Sequence, residues 1–393
     1  MTQTLSPRLS GRSVAFVRDW MTVFGGADRT MAAALELFPA APIHTLVYQP
    51  EHFQGTDIAQ HPIVTSFLQR CPGARTHHRA YLPLMPLAVE QLDLRGHDLV
   101  VSMSHAVAKG VLTRADQLHV SYLFTPARYA WDLYFEHLDR FGARGPRGWA
   151  ARGLLHYLRL WDQASSGRAD VLVASSRTVA RRIWKTYRRP AEVVYPPVEI
   201  DRFEAGAPRD DCYLTVSRLV PYKRVPMIAE AFNRLRRRLV VIGDGPDRAA
   251  VKRAGGGWVE VLGHQPDAVV CDAMQRCKAF VIAADEDFGI APIEAQAAGA
   301  PVIALGRGGA TETVIANLTG LFFNEATVES LVDAVERFEL VADRFQPEQI
   351  RLTTHRFGRE RFQRELATVL DRAWDRFQRD SSLELTEPRS LAG

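Results

Sequence analysis

Two carboxylates flank a glycine-containing loop that leads into a helix in the second half of the chain. Glu286 and Glu294 are separated by seven residues, in the sequence Glu-Asp-Phe-Gly-Ile-Ala-Pro-Ile-Glu. The loop follows the apolar run 279–283, which is typical of a buried parallel strand, and Gly299 ends the helical sequence after it. Backbone N–H groups at a helix start attract phosphate, and carboxylates accept hydrogen bonds from vicinal hydroxyls. The pattern predicts a sugar-nucleotide site, whereas a solvated acidic loop before an ordinary helix is the simpler alternative.

Basic residues follow a second strand. Arg218 and Lys223 come directly after the apolar run 212–216 and offer a guanidinium fork and a compact ammonium for phosphate oxygens. A solvated basic turn is the alternative. Gly243 begins a Gly-Asp-Gly-Pro turn at the end of another strand, where a backbone can approach a ligand closely, although a plain tight turn explains it equally well. This turn is not Gly-x-Gly-x-x-Gly, which argues against a nicotinamide site.

Length and composition restrict the class of protein. A chain of 393 residues with 47% apolar and 24% charged residues suits two folded α/β domains. The net charge of +4 is mild and the arginines are dispersed, so we expect no nucleic-acid partner. The four cysteines have no zinc-site spacing and are predicted to be free thiols. With no long apolar run and no signal-peptide core, we expect a cytoplasmic protein without a transmembrane helix.

Strand and helix signals alternate along the chain, which predicts an α/β fold with two Rossmann-like parallel-sheet domains. The predicted strands are 13–17, 98–102, 118–122 and 171–175 in the first half, and 212–216, 238–242, 259–262, 279–283 and 301–304 in the second. The predicted helices include 29–37, 226–235, 328–338 and 360–377. Paired prolines after Tyr195 place a hinge there, which gives domains 1–196 and 197–365 facing a central crevice. Residues 366–393 are expected to form a helix that crosses back to the first domain, and then a mobile tail.

The chain from residue 12 to residue 375 resembles the retaining nucleotide-sugar glycosyltransferases of family 4, which have the two-domain GT-B fold. The resemblance implies that the first domain is on the acceptor side and that the second binds the donor. In that family the first glutamate touches the donor sugar, the second binds the ribose, and the loop between them holds the diphosphate with an Arg and a Lys. The donor-binding residues so implied are Gly25, Gly26, Gly243, Phe288, Gly289, Ile290 and Glu294. The catalytic residues are Arg218, Lys223, Glu286 and His105.

The first half carries three further segments of the resemblance. Gly25-Gly26-Ala27-Asp28 is similar to the family's Gly-Gly-Ala-Glu, with Asp in place of Glu. In Ser-His105-Ala-Val-Ala-Lys109-Gly, the imidazole and the ammonium are candidate acceptor or donor contacts, although a lone His is often structural. The segment Phe124-Thr-Pro-Ala-Arg128 is similar to one that usually reads His-Thr-Pro. Phe124 cannot transfer a proton, so we expect His105 to supply the nearest imidazole, with Lys109, Phe124 and Arg128 on the acceptor side.

The resemblance also implies a mechanism and partners. Transfer with retention in this fold proceeds without an enzyme nucleophile, and the chain offers no Ser-x-x-Lys or Gly-x-Ser-x-Gly motif. No Asp-x-Asp motif is present, so we expect no metal and no cofactor besides the nucleoside diphosphate sugar. Segments 80–86 and 125–132 resemble the branch that builds bacterial exopolysaccharide or O-antigen units, often with mannose. We therefore expect GDP-mannose as donor and a polyprenyl-diphosphate-linked glycan as acceptor.

Residues 140–161 combine arginines with two tryptophans and a tyrosine, which suits peripheral contact with an anionic membrane. A core-facing helix with its arginines in solvent is the alternative. Two other functions also remain open for the whole chain. A sugar-nucleotide 2-epimerase shares the two-domain architecture, and a degenerate transferase that only binds a partner would accommodate Phe124.

Overall fold

The computed structural model describes residue 9, residues 11–140 and residues 145–383. The chain divides into two compact units. One unit comprises the described residues up to Pro196 together with those from Phe362 onward, and the other runs from Pro197 to Arg361. The first division coincides with the hinge expected at the paired prolines, whereas the second lies four residues before the expected boundary at 365.

The first unit contains a seven-stranded parallel sheet in the order β3-β2-β1-β4-β5-β6-β7. Its strands are β1 (Val14–Arg18), β2 (Ile43–Thr45), β3 (Ile63–Thr65), β4 (Leu99–Ser104), β5 (Leu118–Leu123), β6 (Val171–Ala174) and β7 (Glu192–Val193). Every residue of β1, β4 and β5 is buried, as expected for central strands covered on both faces. The strand order changes direction between β1 and β4, and ligands bind outside the carboxyl ends of strands at such a switch point.

Helices cover both faces of this sheet. They are α1 (Gly26–Leu35), α2 (Ala74–His77), α3 (Met85–Glu90), α4 (Tyr134–Arg140), α5 (Pro146–Ser165), α6 (Arg177–Tyr187) and, from Phe362 onward, the long α14 (Arg359–Leu383). Phe362, Leu366, Leu370 and Trp374 recur every fourth residue of α14 and are buried in the first unit's core. The side chain of Gln363 donates to the Ala33 carbonyl at 3.0 Å, so α14 is also hydrogen-bonded to α1.

The second unit contains a six-stranded parallel sheet in the order β10-β9-β8-β11-β12-β13. Its strands are β8 (Tyr213–Val216), β9 (Leu239–Ile242), β10 (Val259–Gly263), β11 (Ala279–Ile282), β12 (Val302–Leu305) and β13 (Gly320–Phe323). Its helices are α7 (Val225–Leu235), α8 (Arg248–Gly255), α9 (Asp267–Arg276), α10 (Ile290–Ala297), α11 (Ala310–Thr313), α12 (Val328–Glu339) and α13 (Pro347–Thr354). The switch point of this sheet lies between β8 and β11.

The expected fold class is confirmed, because both sheets are parallel and both are covered by helices. The predicted strands agree with the observed ones to within two residues at each end. The sequence does not predict β2, β3, β7 and β13, which have four residues or fewer. Helix α1 begins three residues earlier than predicted, because Asp28 stabilises its first turn. Part of the predicted basic loop (141–144) and the predicted tail (384–393) lie outside the described residues.

Within the described parts of the chain, none of the helices combines the length and the apolar character needed to cross a membrane.

Two histidines are buried in the first unit's sheet. His44 lies on β2 and His119 on β5, and each is almost completely shielded from solvent. Burial lowers the pKa of both imidazoles to about 4, and His97 adds to the effect on His44. Both rings are therefore neutral in the folded protein at neutral pH.

This burial makes stability depend on pH. A pKa lower in the folded than in the unfolded chain means that the unfolded state binds more protons between pH 6.5 and pH 4. The free energy of unfolding should therefore fall as pH falls through that window, by about 2 kcal/mol for each histidine between pH 7.5 and 5. Urea titrations at several pH values measure this slope. His119→Gln should make the slope shallower, whereas substitution of the exposed His156 should not; an identical slope in His119→Gln would contradict the expectation.

Candidate functional site

The predicted donor site forms where two neighbouring strands of the second sheet end. β8 and β11 pair in parallel, so the segments that follow them share one edge of the sheet. Lys223 ends a short turn after β8, and Glu286 lies in the loop between β11 and α10. The ammonium of Lys223 contacts a carboxylate oxygen of Glu286 directly. The structure thus joins two residues that are 63 positions apart and that the sequence predicts in one site.

This ion pair is accessible from solvent. The side chains of Lys223 and Glu286 are 13% and 20% exposed, respectively. The Lys223 Nζ also lies 5.3 Å from the ring centroid of Tyr222, and the Tyr222 hydroxyl is 3.2 Å from the exposed guanidinium of Arg218. A compact and a forked cation therefore flank one tyrosine beside the Glu286 carboxylate. Anionic oxygens are the ligands that such a pair of cations binds best.

The backbone around the pair is held in an uncommon conformation. Arg224, next to Lys223, has a φ of 54°, which is rare for a residue other than glycine. Its guanidinium donates to the carbonyl of Ala283, just beyond β11, at 3.0 Å. This bond ties the Lys223 turn to the strand that leads to Glu286. Strained backbone of this kind is concentrated at functional sites.

Glycines that follow β12 and β9 allow close contact with the two segments that carry Glu286 and Lys223. Gly308 has a φ of 61°, and a Cβ there would lie 2.4 Å from the Glu286 carbonyl oxygen. The N–H of Gly309 donates to that same carbonyl at 2.8 Å. Gly243 has a φ of 134°, and a Cβ there would lie 1.9 Å from the Ser217 carbonyl oxygen. The close approach of the Ser217 backbone thus explains why residue 243 is a glycine. Contact of Gly243 with a donor stays a prediction.

Phe288, Gly289 and Ile290 differ in whether they present a group to which a ligand could bind. Gly289 precedes α10 with a φ of 90°, and Ile290 is the first residue of the helix, so the free backbone N–H groups of α10 begin there. Phe288 is buried, and its ring packs edge-on against Phe357 at 5.5 Å. The Phe288 side chain thus belongs to the core, and contact of this residue with a donor stays a prediction.

Glu294 lies in the second turn of α10 and is half-buried. Arg202 is close enough for the two charges to interact. Burial lowers the pKa of Arg202, but a hydrogen bond to the Cys271 sulfur and the charges of Cys271, Glu294 and Asp267 outweigh it and raise that pKa above its usual value. Glu294 is thus a carboxylate at the start of a helix with a permanent cation nearby.

A second polar cluster forms at the switch point of the first sheet. Asp19 follows β1 directly and His105 follows β4 directly, and these strands pair in parallel. The fully buried Asp19 carboxylate accepts hydrogen bonds from the backbone N–H groups of His105, Val107 and Ala108 at 2.6–2.7 Å. Its second oxygen also lies 2.8 Å from His105 Nδ1. Burial disfavours the charged form of Asp19, but His105, the hydrogen bonds and Arg18 outweigh it, which holds the pKa of Asp19 well below its usual range.

The glycine segment at the start of α1 is connected to this cluster. Asp28, which stands where the family has Glu, accepts from the Gly25 N–H at 3.0 Å and from Arg18 Nε at 3.2 Å. Gly25 has extended backbone, and Gly26 is the first residue of the helix. The segment is therefore held by Asp28, while contact of Gly25 and Gly26 with a donor stays a prediction.

Phe124 lies at the end of β5 beside the same cluster. Its ring packs partly against the first unit's core and lies 5.3 Å from the ring of Tyr122. The guanidinium carbon of Arg18 lies 5.4 Å from the centroid of the Phe124 ring. A cation over an aromatic face is favourable, so Arg18 is attracted to the phenylalanine ring. A protonated histidine at this position would instead repel Arg18. Arg128 is half-buried in the following turn, and its role on the acceptor side stays a prediction.

The side chain of Lys109 is buried in an ion pair. Its side chain is 1% exposed, and its ammonium donates to the Asp162 carboxylate at 2.5 Å. Asp162 also accepts from the indole of Trp131 and the hydroxyl of Tyr187. Lys109 therefore forms a buried ion pair that joins the His105 loop to helix α5. Its ammonium is not exposed to a ligand, and its place on the acceptor side stays a prediction.

Arg18 and Asp19 are not among the site residues that the sequence predicts. Both are polar residues at the carboxyl end of a strand, and Asp19 directly follows the buried β1. That position is the signal that could have identified them, because polar side chains after a central parallel strand are placed at the switch point. Among the described residues, no group of three His, Cys, Asp or Glu side chains is arranged to hold a metal ion.

Comparisons with known proteins agree with this geometry. Residues 198–349 match the family model described as Glycosyl transferases group 1. A GDP-mannose-dependent α-(1-6)-phosphatidylinositol monomannoside mannosyltransferase of Mycobacterium tuberculosis is 36% identical over 209 residues, which cover 44% of this chain and 53% of that protein. The human α-1,3/1,6-mannosyltransferase ALG2 is 23% identical over 45% of this chain and 51% of its own length. The chain thus spans about half the length of the curated relatives it matches.

Solved structures resemble the chain over nearly its whole length. The sucrose-phosphate synthase of Thermosynechococcus elongatus superposes with a TM-score of 0.71 at 15% identity and covers 93% of this chain and 100% of its own. Anabaena HepE in complex with UDP gives 0.67 at 15% identity, over 91% and 99% of the two chains. At this identity the likeness establishes the fold alone. The chain therefore has the GT-B fold, and the family match together with the mannosyltransferase relatives supports a protein similar to glycosyltransferase family 4.

Proposed function

We propose that this protein is a retaining glycosyltransferase that transfers a hexose from a nucleoside diphosphate sugar. The observation that carries the proposal is the Lys223–Glu286 pair at the switch point of a sheet whose residues match the Glycosyl transferases group 1 model. GDP-mannose is the proposed donor, because the matched relatives from Mycobacterium tuberculosis and Mycolicibacterium smegmatis are named as GDP-mannose-dependent mannosyltransferases.

The second unit supplies the groups that suit a leaving diphosphate. Arg218 and Lys223 bring two cations to the site, and the backbone N–H groups of Gly289 and Ile290 lie at the start of α10. Preorganised charges of this kind stabilise negative charge that develops in a transition state. In the proposed reaction the acceptor oxygen bonds to the sugar's anomeric carbon on the face from which the diphosphate departs. The bond from that carbon to the phosphate oxygen breaks, and this oxygen takes the acceptor proton.

The two glutamates have separate roles in this proposal. Glu286, beside Lys223, would accept hydrogen bonds from hydroxyls of the donor sugar, and Glu294 from the ribose hydroxyls. The ion pair with Glu286 keeps the Lys223 ammonium partly desolvated before the donor arrives. A bound diphosphate would share that ammonium with Glu286. This predicts that nucleotide binding and the orientation of Glu286 depend on the same lysine.

A lipid-linked glycan is the proposed acceptor, which would place the protein at the inner face of a cell membrane. Support comes from helix α5, which buries Leu155, Leu158 and Asp162 and exposes an opposite face. On that face Trp149, Tyr157 and Leu160 are 73%, 44% and 58% exposed. Arginines flank them, and the guanidinium carbon of Arg152 lies 5.5 Å from the ring centroid of Trp149. An apolar stripe bordered by cations suits the interface of an anionic bilayer, where such a protein would assemble surface polysaccharide.

The proposal is tested by assaying donors and products together. Thermal unfolding with GDP-, UDP- and ADP-sugars identifies the donor, because a ligand that binds only the folded state raises the melting temperature. Mass spectrometry then follows sugar transfer to a polyprenyl-diphosphate acceptor, and NMR of the new linkage gives its anomeric configuration. Isomerised sugar formed from the donor alone would identify a 2-epimerase instead. Nucleotide binding without turnover on any acceptor would contradict an enzymatic role.

Lys223→Ala should weaken GDP binding by about 1–3 kcal/mol, the usual size of a charged hydrogen bond, and should reduce turnover as well. Isothermal titration calorimetry measures the affinity, and urea unfolding checks that the fold is retained. Lys252→Ala is the matched control, because it removes the same charge from an exposed position on α8 of the same unit. Equal GDP affinities of wild type and Lys223→Ala would remove Lys223 from the donor site.

The double variant Trp149→Ser, Leu160→Ser should bind anionic vesicles about tenfold or more weakly than wild type, because two apolar side chains no longer enter the interface. Co-sedimentation with phosphatidylglycerol vesicles measures the binding. Trp184→Ser is the control, since Trp184 is also exposed, at 54%, but lies on α6. If the double variant and wild type sediment alike, α5 is not the membrane-contacting face.

A further inference from the structure

Asp19 is bonded in a way that a purely structural carboxylate does not require. Its Oδ1 accepts from the backbone N–H groups of Val107 and Ala108 at 2.6 and 2.7 Å, which fixes the loop after β4. Its Oδ2 accepts from the His105 N–H at 2.7 Å and lies 2.8 Å from the Nδ1 of the same residue. The backbone and the ring of His105 are therefore both held by one oxygen atom.

These contacts determine which ring nitrogen of His105 carries a proton. Nδ1 lies 2.8 Å from Asp19 Oδ2, which can only accept, and 2.9 Å from Arg18 Nη1, which can only donate. If Nδ1 were unprotonated, its lone pair would face a buried carboxylate. With a proton on Nδ1 the carboxylate is satisfied, and Arg18 Nη1 still has acceptors in Asp19 Oδ2 and the Met103 carbonyl, both at 3.3 Å. The Nδ1–H form is thus the one in which every group has a partner.

The other ring nitrogen is left available. Nε2 has no hydrogen-bond partner among the described residues, and the His105 side chain is 30% exposed. The edge of the ring packs against Trp20, with the two centroids 4.5 Å apart, and this contact limits rotation of the imidazole. In the neutral Nδ1–H tautomer, Nε2 is an acceptor that the protein holds in one orientation at the switch point of the sheet.

We propose that Asp19 is a positioning residue that holds His105 as the Nδ1–H tautomer, so that Nε2 accepts a hydrogen bond from a substrate hydroxyl. The role in catalysis rests on the proposed glycosyltransferase function, whereas the tautomer does not. The proton of the attacking hydroxyl still goes to the departing phosphate oxygen, and His105 orients a hydroxyl without gaining a covalent bond.

The tautomer is measured directly by long-range ¹H–¹⁵N NMR of the histidine-labelled protein. Wild type should show Nδ1 protonated and Nε2 unprotonated in His105, and assignment is made by loss of the signal in His105→Gln. In Asp19→Asn an amide N–H₂ can face Nδ1, so the ring should change to the Nε2–H tautomer. Asp28→Asn is the control, because Asp28 bonds the same Arg18 but does not touch His105; its spectrum should match wild type. A protonated Nε2 in neutral wild-type His105 would overturn the proposal.

Kinetics test the consequence of that tautomer. Asp19→Asn should reduce kcat about tenfold to a hundredfold with little change in the KM for the sugar nucleotide. The reason is that Nε2 accepts a hydrogen bond from a substrate hydroxyl in wild type, whereas a protonated Nε2 could only donate one. His105→Gln carries a polar atom close to the position of Nε2 and His105→Asn carries one close to Nδ1, so the Gln variant should keep more activity. Asp19→Asn at wild-type kcat, or equal activity of the two His105 variants, would refute the positioning role.

The proposed function and the positioning of His105 by Asp19 can be refuted separately. If wild type transfers no sugar but His105 shows the Nδ1–H form, the proposed function fails and the positioning of the ring stands. If wild type transfers sugar and Asp19→Asn is fully active, only the role of Asp19 fails. Should Asp19→Asn not fold, the wild-type spectrum and the two His105 variants still decide the outcome.

Discussion

Parallel strand pairing is the constraint on which both candidate sites depend. Parallel strands end at the same edge of a sheet, so segments distant in sequence meet there once the register is set. β8 pairs with β11 and β1 with β4, and each pair lies where the strand order changes direction. The Lys223–Glu286 pair and the Asp19–His105 pair are the polar groups that follow those four strands. Each depends on hydrogen bonds in the sheet that are made far from the pair itself.

Charged groups at these edges are buried only where they are fully bonded. An unpaired ion in the interior costs several kcal/mol, so each buried charge must have partners with good geometry. The Asp19 carboxylate is bonded to backbone N–H groups and lies beside an imidazole and a guanidinium. Lys109 is paired with Asp162, which also accepts hydrogen bonds from a tyrosine and an indole. Both clusters hold the loop 104–110 from its two sides. The loop that bears His105 is thus held by polar contacts on both sides, in addition to the apolar packing of Ala106, Val107 and Ala108.

The sequence was sufficient for the architecture and for part of the site. Apolar runs of four or five residues identified the central strands, and residue types at strand ends identified Lys223 and Glu286, because local pattern and position carry that information. It could not identify burial that depends on a distant partner. Lys109 is neutralised by Asp162 on α5, 53 residues away, and Phe288 packs on Phe357, so neither outcome was visible locally. A single aspartate after a strand is common, so Asp19 is recognised as a site residue only once its partners in the loop after β4 are known.

Helix α14 affects the order in which the cores of the two units can be completed during synthesis. The first unit's core includes Phe362, Leu366 and Trp374, whereas the second unit uses a continuous segment from Pro197 to Arg361. During synthesis the second unit's residues have all emerged from the ribosome before α14 is available. Until α14 emerges, the amino-terminal sheet lacks those side chains of its core, whereas every residue of the second unit's continuous segment is already available. The first unit therefore completes its core last, although its first strand is made before any strand of the second unit.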